Sequence, residues 1–253
     1  MTYQNQSGFL SNIPTVTKNL IIINILCWIA SLTLPRAGID LIKWLGLHFP
    51  GTSNFNPFQF ATYMFMHDTR SFLHLFFNMF AVYMFGRVLE SVWGSRRFLV
   101  FYFVAGIGAA IVQELVCFVR ILPLIQQLPA DAVDLVRNEG AAILNRGMNY
   151  TDPLMGALNQ WINSVTIGAS GAVFGILLAF GMLFPNAPLY FMFIPIPVKA
   201  KYFVIGYGVM ELFLGVSGGD NVAHFAHLGG MLFGFFMIRY WKKKDRDNGR
   251  YFY

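Results

Sequence analysis

Residues 97–121 read RFLVFYFVAGIGAAIVQELVCFVRI, and this stretch decides the fold class. Between Arg97 and Arg120 it carries one charged side chain, Glu114. Its length exceeds the roughly 20 helical residues that cross a hydrocarbon core. Five further apolar segments of similar character lie near residues 18–34, 71–93, 168–184, 198–216 and 221–241. The sequence therefore predicts an all-α membrane protein with six transmembrane helices, numbered spans 1 to 6 along the chain.

The composition excludes an ordinary water-soluble enzyme. Of the 253 residues, 56% are hydrophobic and only 12% are charged, whereas a soluble domain has about 25% charged residues. The mean hydropathy of +0.54 agrees with an integral membrane protein. Both cysteines, Cys27 and Cys117, fall within apolar segments, so we expect no disulfide framework.

The net charge of +6 does not indicate nucleic-acid binding, because the densest basic run follows the last apolar segment. Lys242, Lys243 and Lys244 come directly after Tyr240 and Trp241. Aromatic residues at the interface followed by lysines in water form a membrane anchor. We therefore expect the lipid bilayer, and no nucleic acid, as the partner of this segment.

The distribution of lysine and arginine predicts that both termini are cytoplasmic. With that orientation, 12 of the 18 basic residues lie on the inner side, as the positive-inside rule requires. The domain organisation is then a cytoplasmic N-terminal segment 1–17, a membrane domain 18–241 with an extracytoplasmic insertion 122–166, and a basic cytoplasmic tail 242–253. No cleavable signal pattern is present near the N-terminus, which favours a bacterial cytoplasmic membrane. Nothing in the sequence indicates an oligomeric state.

Span 4 begins with Gly168-Ala169-Ser170-Gly171, which places a hydroxyl in the first helical turn. The free backbone N–H groups and the positive dipole end of such a turn attract a nearby oxyanion. Small residues at this spacing also serve simply to let helices approach closely. The motif alone does not separate these two interpretations.

Span 6 contains AHLGG at residues 226–230, and it places His227 about seven residues into the apolar segment. An ionisable group at such a depth indicates a functional site, although a buried histidine can also be satisfied by a carbonyl. Gly230 and Gly234 allow this span to approach the glycines of span 4. That contact would pair Ser170 with a histidine base, the minimum arrangement for a nucleophile.

Span 2 contains His74 and Asn78, which are four residues apart and share one helix face. Two polar side chains on one face are suited to hold a developing negative charge, or to join two helices through hydrogen bonds. Spans 2, 4 and 6 run in the same direction in the predicted topology. All three polar clusters therefore lie at the same, extracytoplasmic, ends.

The combined pattern resembles the rhomboid intramembrane serine proteases. It consists of HxxxN at His74, GASG at residues 168–171 and AHxxGxxxG from Ala226, and the likeness covers most of residues 60–241. The order and spacing of the three motifs are far more specific than any one of them.

The resemblance implies a function and a site. Ser170 would be the nucleophile and His227 its general base, with no acidic third member. His74 and Asn78 would stabilise the oxyanion beside the backbone N–H of Ser170. The implied substrates are transmembrane segments of other proteins, cut near their extracytoplasmic ends, with no metal or organic cofactor. The first loop, roughly 35–62, would lie partly in the membrane.

The same residues allow four other interpretations. His224 competes for the role of base, but only His227 has glycines three and seven residues later. The two histidines form an i,i+3 metal pair that no nearby carboxylate or cysteine is expected to complete. Glu114 and Glu211 are buried acids of the kind found in transporters. A non-cutting, rhomboid-like binding protein for membrane helices is the remaining alternative.

Three further expectations concern the parts around the site. The insertion 122–166 is predicted to contain two short amphipathic helices, over 129–146 and 152–164. The glycine-rich loop 216–222 is suited to a movable lid. Phe174, one turn after Ser170, is expected to pack near His227 and to fix its ring.

Overall fold

The computed structural model describes residues 12–191, 194–217 and 223–248, with helices over most of these ranges. The helices are α1 (Thr15–Thr33), α2 (Leu41–Leu45), α3 (Gln59–Thr62), α4 (Phe72–Ala81), α5 (Arg87–Trp93), α6 (Ser95–Gln127), α7 (Ala130–Asn145), α8 (Pro153–Asn163), α9 (Ser170–Leu183), α10 (Ala200–Ser217) and α11 (His224–Asp247). A π-helical segment, Val82–Gly86, joins α4 to α5, and 3₁₀ turns follow α1 and α3.

Within the described ranges, four helical segments are long and apolar enough to cross a membrane: Thr15–Ala37, Phe72–Trp93, Ser95–Gln127 and Ala200–Ser217. They correspond to predicted spans 1, 2, 3 and 5. The chain is thus a mostly helical integral membrane protein. Helix α9 is apolar but has only 14 residues, and α11 ends in a strongly charged stretch. The count of six crossings therefore stays a prediction.

The centre of the fold is α9, which packs against both α6 and α11. Contact is close because glycines face one another. A Cβ atom added to Gly230 on α11 would collide with the carbonyl of Gly171 on α9, and one added to Gly175 would lie 3.1 Å from the Gly230 carbonyl oxygen. The small residues of these two helices therefore bring their backbones together, as the glycine pattern predicts.

Two polar clusters fix the end of the bundle where α6 begins. Glu90 accepts hydrogen bonds from the backbone N–H groups of Val16 (2.9 Å) and Thr17 (2.7 Å), which lie in the first turn of α1. These donors have no partner within their own helix. Arg97 at the start of α6 forms a bidentate ion pair with Asp245 near the end of α11, at 2.7 and 2.9 Å. Together these contacts tie both terminal helices to the middle of the chain.

The first loop is held in place from within and from the segment before α9. The buried side chain of Gln59 donates to the carbonyl oxygens of Trp44 (3.1 Å) and Asn54 (2.9 Å). Leu47 and Thr166 exchange two backbone hydrogen bonds of 2.9 Å. The loop is therefore an ordered brace against the segment that leads to Ser170.

The insertion contains the two predicted helices, α7 and α8, and they pack on the end of α6. Their shared apolar cluster consists of Cys117, Ile121, Val133, Val136, Leu158 and Ile162. Asp152 caps α8, since its carboxylate accepts a hydrogen bond of 2.8 Å from the backbone N–H of Met155. The helix of span 3 is longer than predicted, because α6 continues beyond residue 121 through Pro123 to Gln127. The additional turns give α7 and α8 an apolar surface to cover.

Other predicted boundaries differ as well. A β-hairpin, β1 (Pro188–Phe191) and β2 (Ile194–Lys199), occupies the proline-rich connection between α9 and α10, where no strand was predicted. Prolines are tolerated in a two-stranded hairpin because both strands are edge strands. Helix α10 consequently begins at Ala200 rather than 198.

Helix α11 extends to Asp247, into the predicted tail. Residues 218–222 of the predicted lid, residues 1–11 and residues 249–253 lie outside the described residues.

Candidate active site

Ser170 is the first residue of α9, and the turn before it depends on glycine. Gly168 has a φ of +121°, a backbone conformation that side chains disfavour. A Cβ added there would lie 2.8 Å from Nε2 of His74 and 3.7 Å from Oγ of Ser170. The Gly168 N–H donates to the carbonyl of Tyr63 at 3.0 Å. This turn sets the position of the hydroxyl beside the free N–H groups of the α9 N-terminus.

His227 lies in the first turn of α11, with Nε2 2.8 Å from Oγ of Ser170. Its ring stacks on Phe174, with centroids 4.1 Å apart and planes inclined by 6°. Because Phe174 is one turn after Ser170 on α9, the same helix supports both the hydroxyl and the ring, as expected. His227 is the fourth residue of its helix rather than about the seventh residue of the span, because α11 begins at His224.

A carboxylate lies beside the second ring nitrogen of His227. Oε2 of Glu211 on α10 lies 2.9 Å from Nδ1 of His227 and 2.6 Å from Nδ1 of His224. All three side chains are buried. A carboxylate accepts hydrogen bonds, so Nδ1 of His227 carries the proton and Nε2 is left as the acceptor for the Ser170 hydroxyl.

The tautomer of His74 is fixed by the backbone. The N–H of Asp68 donates to Nδ1 of His74 at 3.2 Å, so the ring proton sits on Nε2, the atom that faces Gly168. His74 therefore presents a hydrogen-bond donor to the space beside the hydroxyl. The buried ring of His67 packs 5.1 Å from it, and burial lowers the pKa of His67 to about 3. His67 is thus an uncharged neighbour of His74.

Asn78 lies one turn after His74 on α4 and is buried. Its Nδ2 donates to the carbonyl oxygen of His74 at 2.8 Å. One of the two amide hydrogens is therefore engaged within the helix, and the second has no partner among the described residues. The structure brings Ser170, His227 and His74 together, with Asn78 on the same face of α4 as His74.

The expectation that no carboxylate would lie near the histidine pair is wrong. Glu211, His224 and His227 place one ligand atom each within 4.8 Å of one another. Two histidines and a glutamate are a ligand set used by zinc. The N···O distances of 2.6 and 2.9 Å are those of direct hydrogen bonds. The three residues could hold a cation only by giving up these bonds.

Sequence reasoning missed Glu211 as a site residue, although it singled out the residue as a buried acid. The signal that could have placed it is its charge, since a carboxylate buried on an apolar helix requires a hydrogen-bonding partner. The next helix along the chain begins with two histidines three residues apart. Short connections favour antiparallel neighbours, and this would have suggested the contact.

Comparison with known protein families gives one match. The model of the family described as the Rhomboid domain matches residues 54–120 and 140–244, more than half of the chain. The matched ranges include His74, Asn78, Ser170, His227 and Glu211. The unmatched residues between them cover the end of α6 and most of α7. No curated protein matches the chain.

Proposed function

This chain belongs to the rhomboid family, and on that premise we propose that it is a serine endopeptidase that cleaves transmembrane segments of other proteins. The family consists in general of intramembrane serine proteases. The observation that carries the proposal for this member is the 2.8 Å hydrogen bond between Oγ of Ser170 and Nε2 of His227. A serine activated by an adjacent base is the central requirement of acyl transfer.

The reaction begins when Nε2 of His227 accepts the hydroxyl proton of Ser170. The oxygen then attacks the peptide carbonyl, and His227 returns the proton to the leaving amine. Water hydrolyses the resulting acyl-enzyme in a second cycle of the same base. The hydrogen bond at Nδ1 supports this role, because it leaves Nε2 free to accept a proton.

The oxyanion of the tetrahedral intermediate is stabilised by three donors. Nε2–H of His74 lies beside the nucleophile, the backbone N–H of Ser170 stands at the start of α9, and Asn78 retains one amide hydrogen. The orientation of His74 by Asp68 supports this assignment. Preorganised donors of this kind stabilise charge that develops in the transition state.

The substrate is a membrane helix that unwinds locally, since the carbonyls of an intact helix are engaged in hydrogen bonds. Glycine near the cleavage site lowers the cost of unwinding. The exposed side chains of Trp44 and Phe58 support contact of the first loop with the bilayer.

We further propose that the chain crosses the membrane six times, with both termini in the cytoplasm of a bacterial inner membrane. Predicted spans 4 and 6 correspond to α9 and α11.

The two competing functions receive less support. A helix-binding protein that does not cut has no need for a serine and a histidine held 2.8 Å apart. A transporter was suggested by Glu114 and Glu211, but Glu211 is engaged by two histidines at the site. The protease therefore accounts for more of the polar residues than either alternative.

The test is cleavage of a reporter transmembrane helix, with alanine and glycine near its outer end, by purified protein in detergent. Ser170→Ala and His227→Ala are each expected to reduce the rate by at least about 10³-fold, as in other serine proteases. Ser91→Ala is the matched control, because Ser91 is exposed on α5 and bonds only to a carbonyl of its own helix among the described contacts. Cleavage by either active-site variant at the wild-type rate would refute the proposal.

A further inference from the structure

We propose that Glu211 is a positioning residue, so that the site operates as a serine–histidine–glutamate triad. The inference rests on the proposed protease function and departs from the two-residue arrangement that the resemblance implied. Glu211 has no described contact with Ser170. It acts through His227.

The contacts of Glu211 determine the state of the base. Its Oε2 atom accepts a hydrogen bond of 2.9 Å from Nδ1 of His227, on the opposite side of the ring from Ser170. The carboxylate thereby selects the one neutral tautomer that can take a proton from the serine. Phe174 fixes the plane of the ring, and Glu211 fixes its rotation within that plane.

Charge provides the second part of the argument. When His227 accepts the proton from Ser170, its ring becomes an imidazolium that lies 2.9 Å from the carboxylate. Only 5% of Glu211 is exposed, so water screens this attraction weakly. The carboxylate therefore stabilises the charge that arises in the transition state, as the buried aspartate does in the serine protease triad.

His224 holds the carboxylate in place. Its Nδ1 atom lies 2.6 Å from the same Oε2 atom of Glu211, and the side chain is buried beside it. A carboxylate buried among apolar helices is stable only when its oxygens find donors. The histidine at the first position of α11 thus supplies the second donor, three residues before the base.

The experiment compares Glu211→Gln, Glu211→Met and the matched control Glu114→Gln. Gln removes the charge and can turn either its oxygen or its NH₂ group toward Nδ1 of His227, whereas Met offers neither. Glu114 is a second buried acid, on α6, with no described contact to Ser170 or His227. Met leaves the Nδ1–H groups of both histidines without this acceptor, which destabilises the fold, so kcat is expressed per folded protein in every variant.

The measurements are kcat and KM for the reporter helix, the rate of Ser170 labelling by a fluorophosphonate, and the thermal unfolding midpoint. All are made in parallel without and with EDTA, so that the contribution of a bound metal is measured directly. We expect kcat to fall about 10³- to 10⁴-fold in both Glu211 variants, because neither side chain fixes the productive tautomer of His227. KM in both variants and the kcat of Glu114→Gln should stay near wild-type values, whereas the unfolding midpoint should fall in Glu211→Met, which leaves two buried N–H groups unpaired.

The outcomes separate this inference from the proposed function. The triad would be overturned if both Glu211 variants kept the wild-type kcat, or if their activity fell only in proportion to the fraction of folded protein. Cleavage by the wild type would still uphold the protease function. An equal loss in Glu114→Gln would overturn it too, because the effect would not be specific to the contact with His227. Loss of wild-type activity in EDTA would assign the three residues to a metal instead. Failure of the wild type to cleave or to be labelled would remove the protease function and the triad together.

Discussion

The glycine contact between α9 and α11 sets the distance between nucleophile and base, and Gly230→Ala tests this directly. A Cβ at position 230 would collide with the backbone carbonyl of Gly171, the residue that follows Ser170. A carbonyl cannot rotate away as a side chain can, so the helices must separate. Relief requires a shift of about 1 Å, and a misplacement of that size costs about 10²-fold in rate.

The same shift lengthens the 2.8 Å bond between Ser170 and His227 beyond hydrogen-bonding distance. Overpacking of this kind destabilises a fold by about 1–3 kcal/mol. Thermal unfolding in detergent measures the stability, and reporter cleavage per folded protein measures the rate.

The control is Gly206→Ala on α10, where an added Cβ meets nothing within 4 Å. Alanine favours a helix over glycine by about 1 kcal/mol, so this variant should be active and equally or more stable. Wild-type cleavage and stability in Gly230→Ala would refute the argument that close approach of α9 and α11 builds the site.

Three further predictions concern other parts of the structure. Gly168→Ala should reduce the rate at which a fluorophosphonate labels Ser170 by at least about 10-fold. A φ of +121° is strained for alanine, and its Cβ would press on His74. Unchanged labelling would contradict this. Asp245→Asn should lower the free energy of unfolding by about 1–3 kcal/mol, as measured by chemical denaturation. This is less than the stability lost when a fully buried ion pair is broken, because the side chain of Arg97 is 29% exposed. Asp152→Ala should destabilise the insertion by about 1 kcal/mol through loss of the α8 cap, detected as faster amide exchange in α8 with reporter cleavage intact.

The sequence was sufficient for features that depend on local pattern. Long apolar runs specify helices in a membrane, and the i,i+4 spacing placed His74 and Asn78 on one face of α4. Glycines four residues apart on two segments predicted the close contact of α9 and α11. The capping pattern of Asp152 and Pro153 located the start of α8. Each of these follows from backbone geometry or from side chains within a few residues.

Features that depend on tertiary contact were missed or misplaced. The pairing of Glu211 with His227 joins two helices, and no local signal in α10 specifies its partner. The continuation of α6 beyond residue 121 depends on the cover that α7 and α8 provide. The hairpin β1–β2 lies in a proline-rich connection whose composition indicates a loop, and its hydrogen bonds form only when the two halves meet.

The most direct test of the central claim is to locate a covalent adduct. Wild-type protein and His227→Ala are treated with a fluorophosphonate, digested and mapped by mass spectrometry. The account predicts an adduct on Ser170 in the wild type and its loss in His227→Ala, because the histidine activates the hydroxyl through the 2.8 Å hydrogen bond. An adduct on a different serine, or equal labelling of Ser170 without His227, would contradict it.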